Sequence, residues 1–135
     1  MLYLGDNCGE ICFDKLFISR IIKENPDCKV YFAVRGEAVI NDNTYDDALF
    51  VGMDKVATVI SNGDFSPGTS LNKVSDEFLS VFDSADVIIS KGQGNYECLS
   101  DVKKPIYFML MAKCDVVAES LGVPMKSAVC LKKGE

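Results

Sequence analysis

"YLGDNCGEICFDK", residues 3–15, runs an apolar stub straight into Asp6-Asn7 and then into a helix-forming stretch. Ile11, Phe13, Leu16, Phe17, Ile21 and Ile22 recur at helical spacing, and Asn25-Pro26 ends the run. A strand that feeds a helix through a short polar junction is the opening unit of an alternating α/β chain. The alternation continues downstream. "KVYFAVR" (29–35), "ATVIS" (57–61), "DVIIS" (86–90) and "PIYFML" (105–110) read as strands, and "SAVCLK" (127–132) as a last one. Between them, a short helix is expected behind a cap at Asn43 or Thr44. Others are expected over 71–84, after "KGQGN" (91–95), and in "KCDVVAESLG" (113–122), which ends at Gly122. Strands apolar on both faces belong in a parallel sheet covered by helices. The expected fold class is therefore α/β: a three-layer, doubly wound, Rossmann-like and mostly parallel sheet of five to six strands.

Composition narrows the chemistry. The 135 residues suffice for one domain with a real core, and 48% of them are hydrophobic. Lys and Arg number 14 against 20 Asp and Glu, a net charge of −6. A chain without a basic stripe is not expected to bind nucleic acid. No apolar run has the length of a membrane span, and nothing before the first strand reads as a signal peptide, so no membrane partner is expected. The six cysteines fall mostly within apolar runs with no CxxC pair, which predicts buried, reduced thiols and a cytoplasmic setting. Histidine is absent altogether. Ser-His-Asp and Cys-His catalysis and His-ligated zinc are thereby excluded. Any catalysis must rest on carboxylates, amides, hydroxyls, lysine, thiols or an oxygen-bound metal.

Ligands of doubly wound sheets bind outside the carboxyl ends of the strands. The loops on that edge are the polar ones here. Asp6 and Asn7 follow the first strand and Asn41-Asp42 the second; "NGDFSPGTS" follows the third and "SKGQGNYE" the fourth. The opposite connections, "ENPDC", "SADV" and "DVKKP", are plain turns. Asp6, Asn7 and Asp42 offer two carboxylates and an amide carbonyl, a hard-oxygen set suited to Mg²⁺ or Mn²⁺. Each residue also has a purely local reading: Asp6-Asn7 as a helix cap, Asp42 as a turn residue. Lys91, Gly92, Gly94 and Asn95 have the make-up of a phosphate cradle, or else of a glycine-permitted turn with a solvated lysine. Gly92-x-Gly94 lacks the third glycine of a dinucleotide fingerprint and follows the wrong strand. No carboxylate near Lys91 in sequence is an obvious partner, which favours a phosphate as its counter-ion. Cys8 and Cys12 are too soft as ligands to join an oxygen-bound metal.

Five ordered stretches carry a family resemblance: "GDNCGEICFDKL" (5–16), "VRGEAVINDNTYDDA" (34–48), "GTSLNKVSDEF" (68–78), "ADVIISKGQGNYE" (85–97) and "YFMLMAKCDVVA" (107–118). Together they resemble the successive motifs of the metal-dependent damage-control phosphatases, formerly a domain of unknown function. The resemblance implies hydrolysis of phosphate monoesters of small metabolites, such as sugar phosphates or damaged phosphometabolites, with a divalent metal (Mn, Co, Ni or Mg). It implies that Asp6, Asn7 and Asp42 bind the metal and that Lys91 contacts the substrate phosphate. It also places Asp64, Ser66 and Thr69 close to substrate. Cys8 stands where Ala or Ser is more usual. Family members usually carry a helical region ahead of the Asp-Asn motif. Residues 1–135 are accordingly expected to form a single α/β domain, the catalytic part of that longer architecture. The attacking group is either a water or the Asp6 carboxylate. The competing expectation is a Rossmann-like module that holds a phosphorylated ligand or nucleotide without turning it over.

Overall fold

A computed structural model describes residues 1–134. It contains six strands in one sheet, ordered β3-β2-β1-β4-β5-β6. The strands are β1 (Leu2–Leu4), β2 (Tyr31–Val34), β3 (Thr58–Ser61), β4 (Ile88–Lys91), β5 (Ile106–Met111) and β6 (Ala128–Lys133). The first five pair in parallel and β6 runs antiparallel to β5. This is the doubly wound order, with its switch point between β1 and β4. Five helices connect the strands: α1 (Ile11–Glu24), α2 (Tyr45–Phe50), α3 (Asp76–Ser84), α4 (Gln93–Leu99) and α5 (Asp115–Leu121). Among the described residues no helix is long and apolar enough to cross a membrane.

Local chemistry explains the boundaries. Thr44 caps α2 and exchanges hydrogen bonds with Asp47 in a capping box. Ser75 caps α3 at the Phe78 N–H, so that helix starts later than the apolar pattern from residue 71 suggests. Gly122 closes α5 in the left-handed region. Lys91, expected in a turn, is the last residue of β4, which fixes its stem on the sheet.

Two apolar layers hold the sheet. Phe78, Phe82, Tyr96, Leu99 and Val117 cover one face, against Leu2, Leu4, Ile88, Ile106 and Phe108. On the other, Ile11, Ile18, Ala48 and Met53 pack on Tyr3, Phe32, Val34 and Ile89. That second layer stops short of β5 and β6. The "PIYFML" stretch, apolar throughout, is therefore a strand buried on one side only: Ile106, Phe108 and Leu110 face the core, while Tyr107 and Met111 are exposed, as are Phe13 and Leu16 on α1.

The cysteines depart from expectation. All six are free, but Cys8, Cys12, Cys98 and Cys130 are exposed and Cys28 and Cys114 half-buried. Cys8 and Cys12 sit on the outer side of α1 and its entry turn, and Cys130 on the face of β6 that no helix covers. An apolar neighbourhood in sequence does not bury a residue whose strand or helix face has nothing packed on it.

Candidate active site

The loops after β1 and β2 are joined by backbone hydrogen bonds. Asn43 N–H donates to Asp6 O at 2.7 Å and Cys8 N–H to Asn41 O at 2.8 Å, flanking an antiparallel bridge between Asn7 and Asp42. The second loop turns back through Ile40, which adopts φ 51° and is almost fully exposed. A β-branched residue in the left-handed region is strained, and such strain persists where the surrounding structure holds it. Asp6, Asn7 and Asp42 are thereby brought together, thirty-odd residues apart in the chain. Asn7 Nδ2 donates to Asp6 Oδ2 at 2.8 Å. Gly92, at φ 82°, passes so close to the Asp6 carboxylate that a side chain there would occupy the same space. Glycine at 92 thus makes room for the acid.

The charges of the two carboxylates are handled differently. Asp42 Oδ2 accepts a 2.6 Å bond from Arg35 Nε inside the protein. Asp6 has no such partner. Burial first, then the negative charges of Asp42 and Glu10, push its carboxyl up to about 6. An acid strained by burial and by neighbouring acids is what a bound cation would relieve. Among the described residues no three Asp, Glu, Cys or His side chains converge as a metal site, so the fit rests on the mixed set of two carboxylates and one amide. That set is hard, oxygen-only and small, and it suits a divalent cation that keeps part of its water.

Lys91 is not a free ammonium. Its Nζ donates to Asp14 Oδ1 at 2.7 Å and to Glu10 Oε2 at 3.0 Å, and Tyr3 donates to the same Asp14 oxygen at 2.6 Å. Burial opposes its charge, but the two carboxylates more than compensate and hold its pKa above the ordinary lysine value. The expectation that Lys91 has no carboxylate partner is overturned. Helix α1 aims Glu10 and Asp14, one turn apart, at the end of β4, a contact invisible in a linear sequence.

The phosphate-cradle reading of the β4 loop also changes in detail. Gly92 N–H is spent on Met109 O at 3.0 Å. Asn95 is buried, and its amide binds Lys91 O at 2.7 Å and Gly5 O at 3.2 Å. Gly94 lies at the site but packs against Gly68. The third loop is structural too. Asp64, 1% exposed, accepts from the Ser66 and Ser70 N–H groups, and Ser66 Oγ accepts from Lys73. Burial raises the Asp64 pKa, but the Ser66 and Ser70 donors outweigh it and hold it below the ordinary carboxylate value. Thr69 is equally buried, between Arg35 and Asn95. These side chains shape the loop from behind; Pro67 and Gly68 are its surface at the site.

Two cavities open on the cluster. One of about 450 Å³ runs from Asp6, Asn7 and Lys91 along Met109 and Met111 to Cys130. The other, of about 360 Å³, lies between Asp42, Pro67 and Glu97. Asp6, Asn7, Gln93 and Lys113 line both. Lys113 went unnoticed in the sequence, although it follows β5 on the same carboxyl edge. It is exposed, makes no ion pair among the described residues, has its N–H tied to Gln93 Oε1 at 2.7 Å, and its charge lowers the pKa of Asp6. Arg35 was also missed. Both follow strands on the ligand-binding edge, which is the signal that could have found them.

Sheet order, switch-point crevice and acid-amide cluster define a Rossmann-like α/β domain with a polar crevice at the carboxyl edge of its sheet. Residues 1–129 match the damage-control phosphatase ARMT1-like domain. The chain is 44% identical to the damage-control phosphatase PH1575 of Pyrococcus horikoshii, over 98% of this chain and 46% of that protein. It is 42% identical to a damage-control phosphatase of Archaeoglobus fulgidus, over 91% of this chain and 43% of that one. The crystal structure of PH1575, a DUF89 family protein, superposes with a TM-score of 0.93 over 98% of this chain and 46% of its own. The chain belongs to the damage-control phosphatase ARMT1-like family. It spans less than half the length of these relatives.

Proposed function

We propose that this chain is the catalytic α/β part of a metal-dependent phosphatase acting on phosphate monoesters of small metabolites. The carrying observation is the pairing of Asp6, raised to about 6 by burial and by Asp42 and Glu10, with Asn7 and Asp42 across a backbone bridge. These three residues would hold the cation, which when bound supplies charge neutralisation and Lewis-acid polarisation of a phosphoryl oxygen. The chain's own residues do the positioning on which phosphoryl transfer chiefly depends. Lys113, the exposed ammonium beside Asp6, takes the remaining phosphate oxygens. Lys91 keeps Glu10 against the Asn7 N–H, where Glu10 Oε1 accepts at 3.4 Å, and so braces the Asp6-Asn7 turn. Met109 and Met111 give the larger cavity an apolar wall for the organic part of the substrate.

Turnover of an aryl phosphate, with Mn²⁺, Co²⁺, Ni²⁺ or Mg²⁺ added singly to metal-stripped protein, tests the reading. Hydrolysis that needs the cation and disappears in Asp6→Asn is the expected result. Cation-dependent binding of phosphate without turnover would replace it with the non-catalytic module. No binding of any cation would overturn both.

A further inference from the structure

Arg35 is buried at the carboxyl edge of the sheet, 4% exposed, and each part of its guanidinium serves a different segment. Nε donates to Asp42 Oδ2 at 2.6 Å, Nη1 to Thr69 Oγ1 at 2.8 Å and Nη2 to Asn95 Oδ1 at 3.1 Å. The Thr69 hydroxyl donates to that same Asn95 oxygen at 2.8 Å. Asn95 in turn holds the carbonyls of Gly5 and Lys91. The guanidinium therefore cannot rotate without breaking contacts to the loops after β3 and β4. Asp42 inherits this rigidity. One of its oxygens already accepts from Arg35, and the other carries no side-chain bond among the described residues.

Oδ2 of Asp42 keeps a second lone pair, but a short bond to a fixed guanidinium makes it the weaker ligand, so Asp42 favours coordination through Oδ1 alone. Ca²⁺ collects six to eight oxygens and profits from bidentate carboxylates, whereas Mg²⁺ demands six at close to octahedral positions, and Mn²⁺ shares that oxygen-rich octahedral preference. A lysine could not replace the fork, because a point charge does not meet three acceptors in fixed directions. We propose that Arg35 is a positioning residue that holds Asp42 as a one-oxygen ligand and so sets the site's preference for small octahedral cations over Ca²⁺. This rests on the reading of Asp6, Asn7 and Asp42 as the cation site.

Isothermal titration of the full chain with Mn²⁺, Mg²⁺ or Ca²⁺ alone tests it, in the unaltered protein, Arg35→Lys and Asn62→Ala. Asn62 is buried in the same neighbourhood, bonded to Thr69 Oγ1 at 3.4 Å and to the Asp64 N–H at 3.0 Å, without touching Asp42. Its loss loosens the packing and leaves the Arg35–Asp42 bond in place. The unaltered protein should favour Mn²⁺ over Ca²⁺. Arg35→Lys should weaken Mn²⁺ binding roughly ten- to a hundredfold, the range for partners that orient a metal ligand, and narrow the Mn²⁺/Ca²⁺ ratio. Asn62→Ala should lower the melting temperature and keep the ratio. An unchanged ratio in Arg35→Lys, or an equal change in Asn62→Ala, overturns the proposal while the cation site stands. If Arg35→Lys does not fold, Ca²⁺ binding as tight as Mn²⁺ in the unaltered protein overturns it equally. Absence of all three cations from the unaltered protein removes the site and the proposal together.

Discussion

The ends of β1 and β2 each deliver one aspartate to the same cluster, and the two are prepared in opposite ways. Asp42 carries its counter-charge within the fold, in an Arg35 pair that is nearly sealed from solvent. Asp6 faces a cavity with its charge uncompensated and its pKa raised. The first arrangement makes each partner depend on the other and orients an oxygen. The second stores unfavourable electrostatic energy that a ligand can release.

The largest effect should come from breaking the compensated side. Asp42→Ala removes a proposed cation ligand and also strands Arg35, a buried guanidinium, without its carboxylate. Loss of one partner of a buried ion pair costs about 3–5 kcal/mol. On the proposed reading the aspartate at 42 serves both the fold and the cation, and the variant should lose both Mn²⁺ binding and much of its stability in urea titration. Retention of full stability would show that the Arg35 pair contributes nothing net.

Lys91 offers the second test, since it too is a compensated group. Lys91→Met leaves Asp14, 2% exposed, with only the Tyr3 hydroxyl. A destabilisation of about 2–3 kcal/mol is expected for a buried carboxylate losing its cation, partly moderated because Glu10 is open to water. An unchanged melting temperature would mean that this cluster is not held together by charge.

Asp6 should behave in the reverse sense. Its folded pKa of about 6 lies above the ordinary 3.8, so the folded state takes up a proton more readily than the unfolded chain. The resulting contribution favours folding at low pH, falls as pH rises through the interval between these values, and is flat above it. Metal-free Asp6→Asn should accordingly be more stable than the parent at pH 7 by about 1–2 kcal/mol, less than full linkage because the carboxylate is partly in water. The same variant should bind Mn²⁺ poorly, and in the parent Mn²⁺ affinity should decline below pH 6, where protons compete for Asp6. A destabilised Asp6→Asn would reverse the contrast between the two aspartates.

Lys113 sharpens the comparison from the ligand side and should have the smallest effect on the fold. Lys113→Met removes an exposed ammonium with no ion pair among the described residues, so stability should not change. Phosphate binding should weaken by roughly tenfold, the worth of one charge-assisted contact. Equal phosphate affinity in the variant would return the anion to Lys91.

The alternating pattern of strand and helix, the polar edge of the sheet and the residues Asp6, Asn7 and Asp42 are legible in the chain itself. Each depends on local rules: period, caps, and the habit of parallel sheets of binding ligands at their carboxyl ends. The absence of histidine restricted the chemistry before any fold was known. Partners were not legible, because ion pairs join residues that the sheet order brings together across long separations. Lys91 meets Asp14 across 77 positions and Arg35 meets Asn95 across 60. Burial on the β5 and β6 side was not legible either, since hydrophobicity records what a residue tolerates, not what packs against it. Sequence alone pointed to Asp6, Asn7 and Asp42, but not to Lys113 or Arg35. Only the tertiary structure decided which of them are spent on each other and which, like Asp6 and Lys113, are left to act, because compensation of charge is a property of neighbours in space.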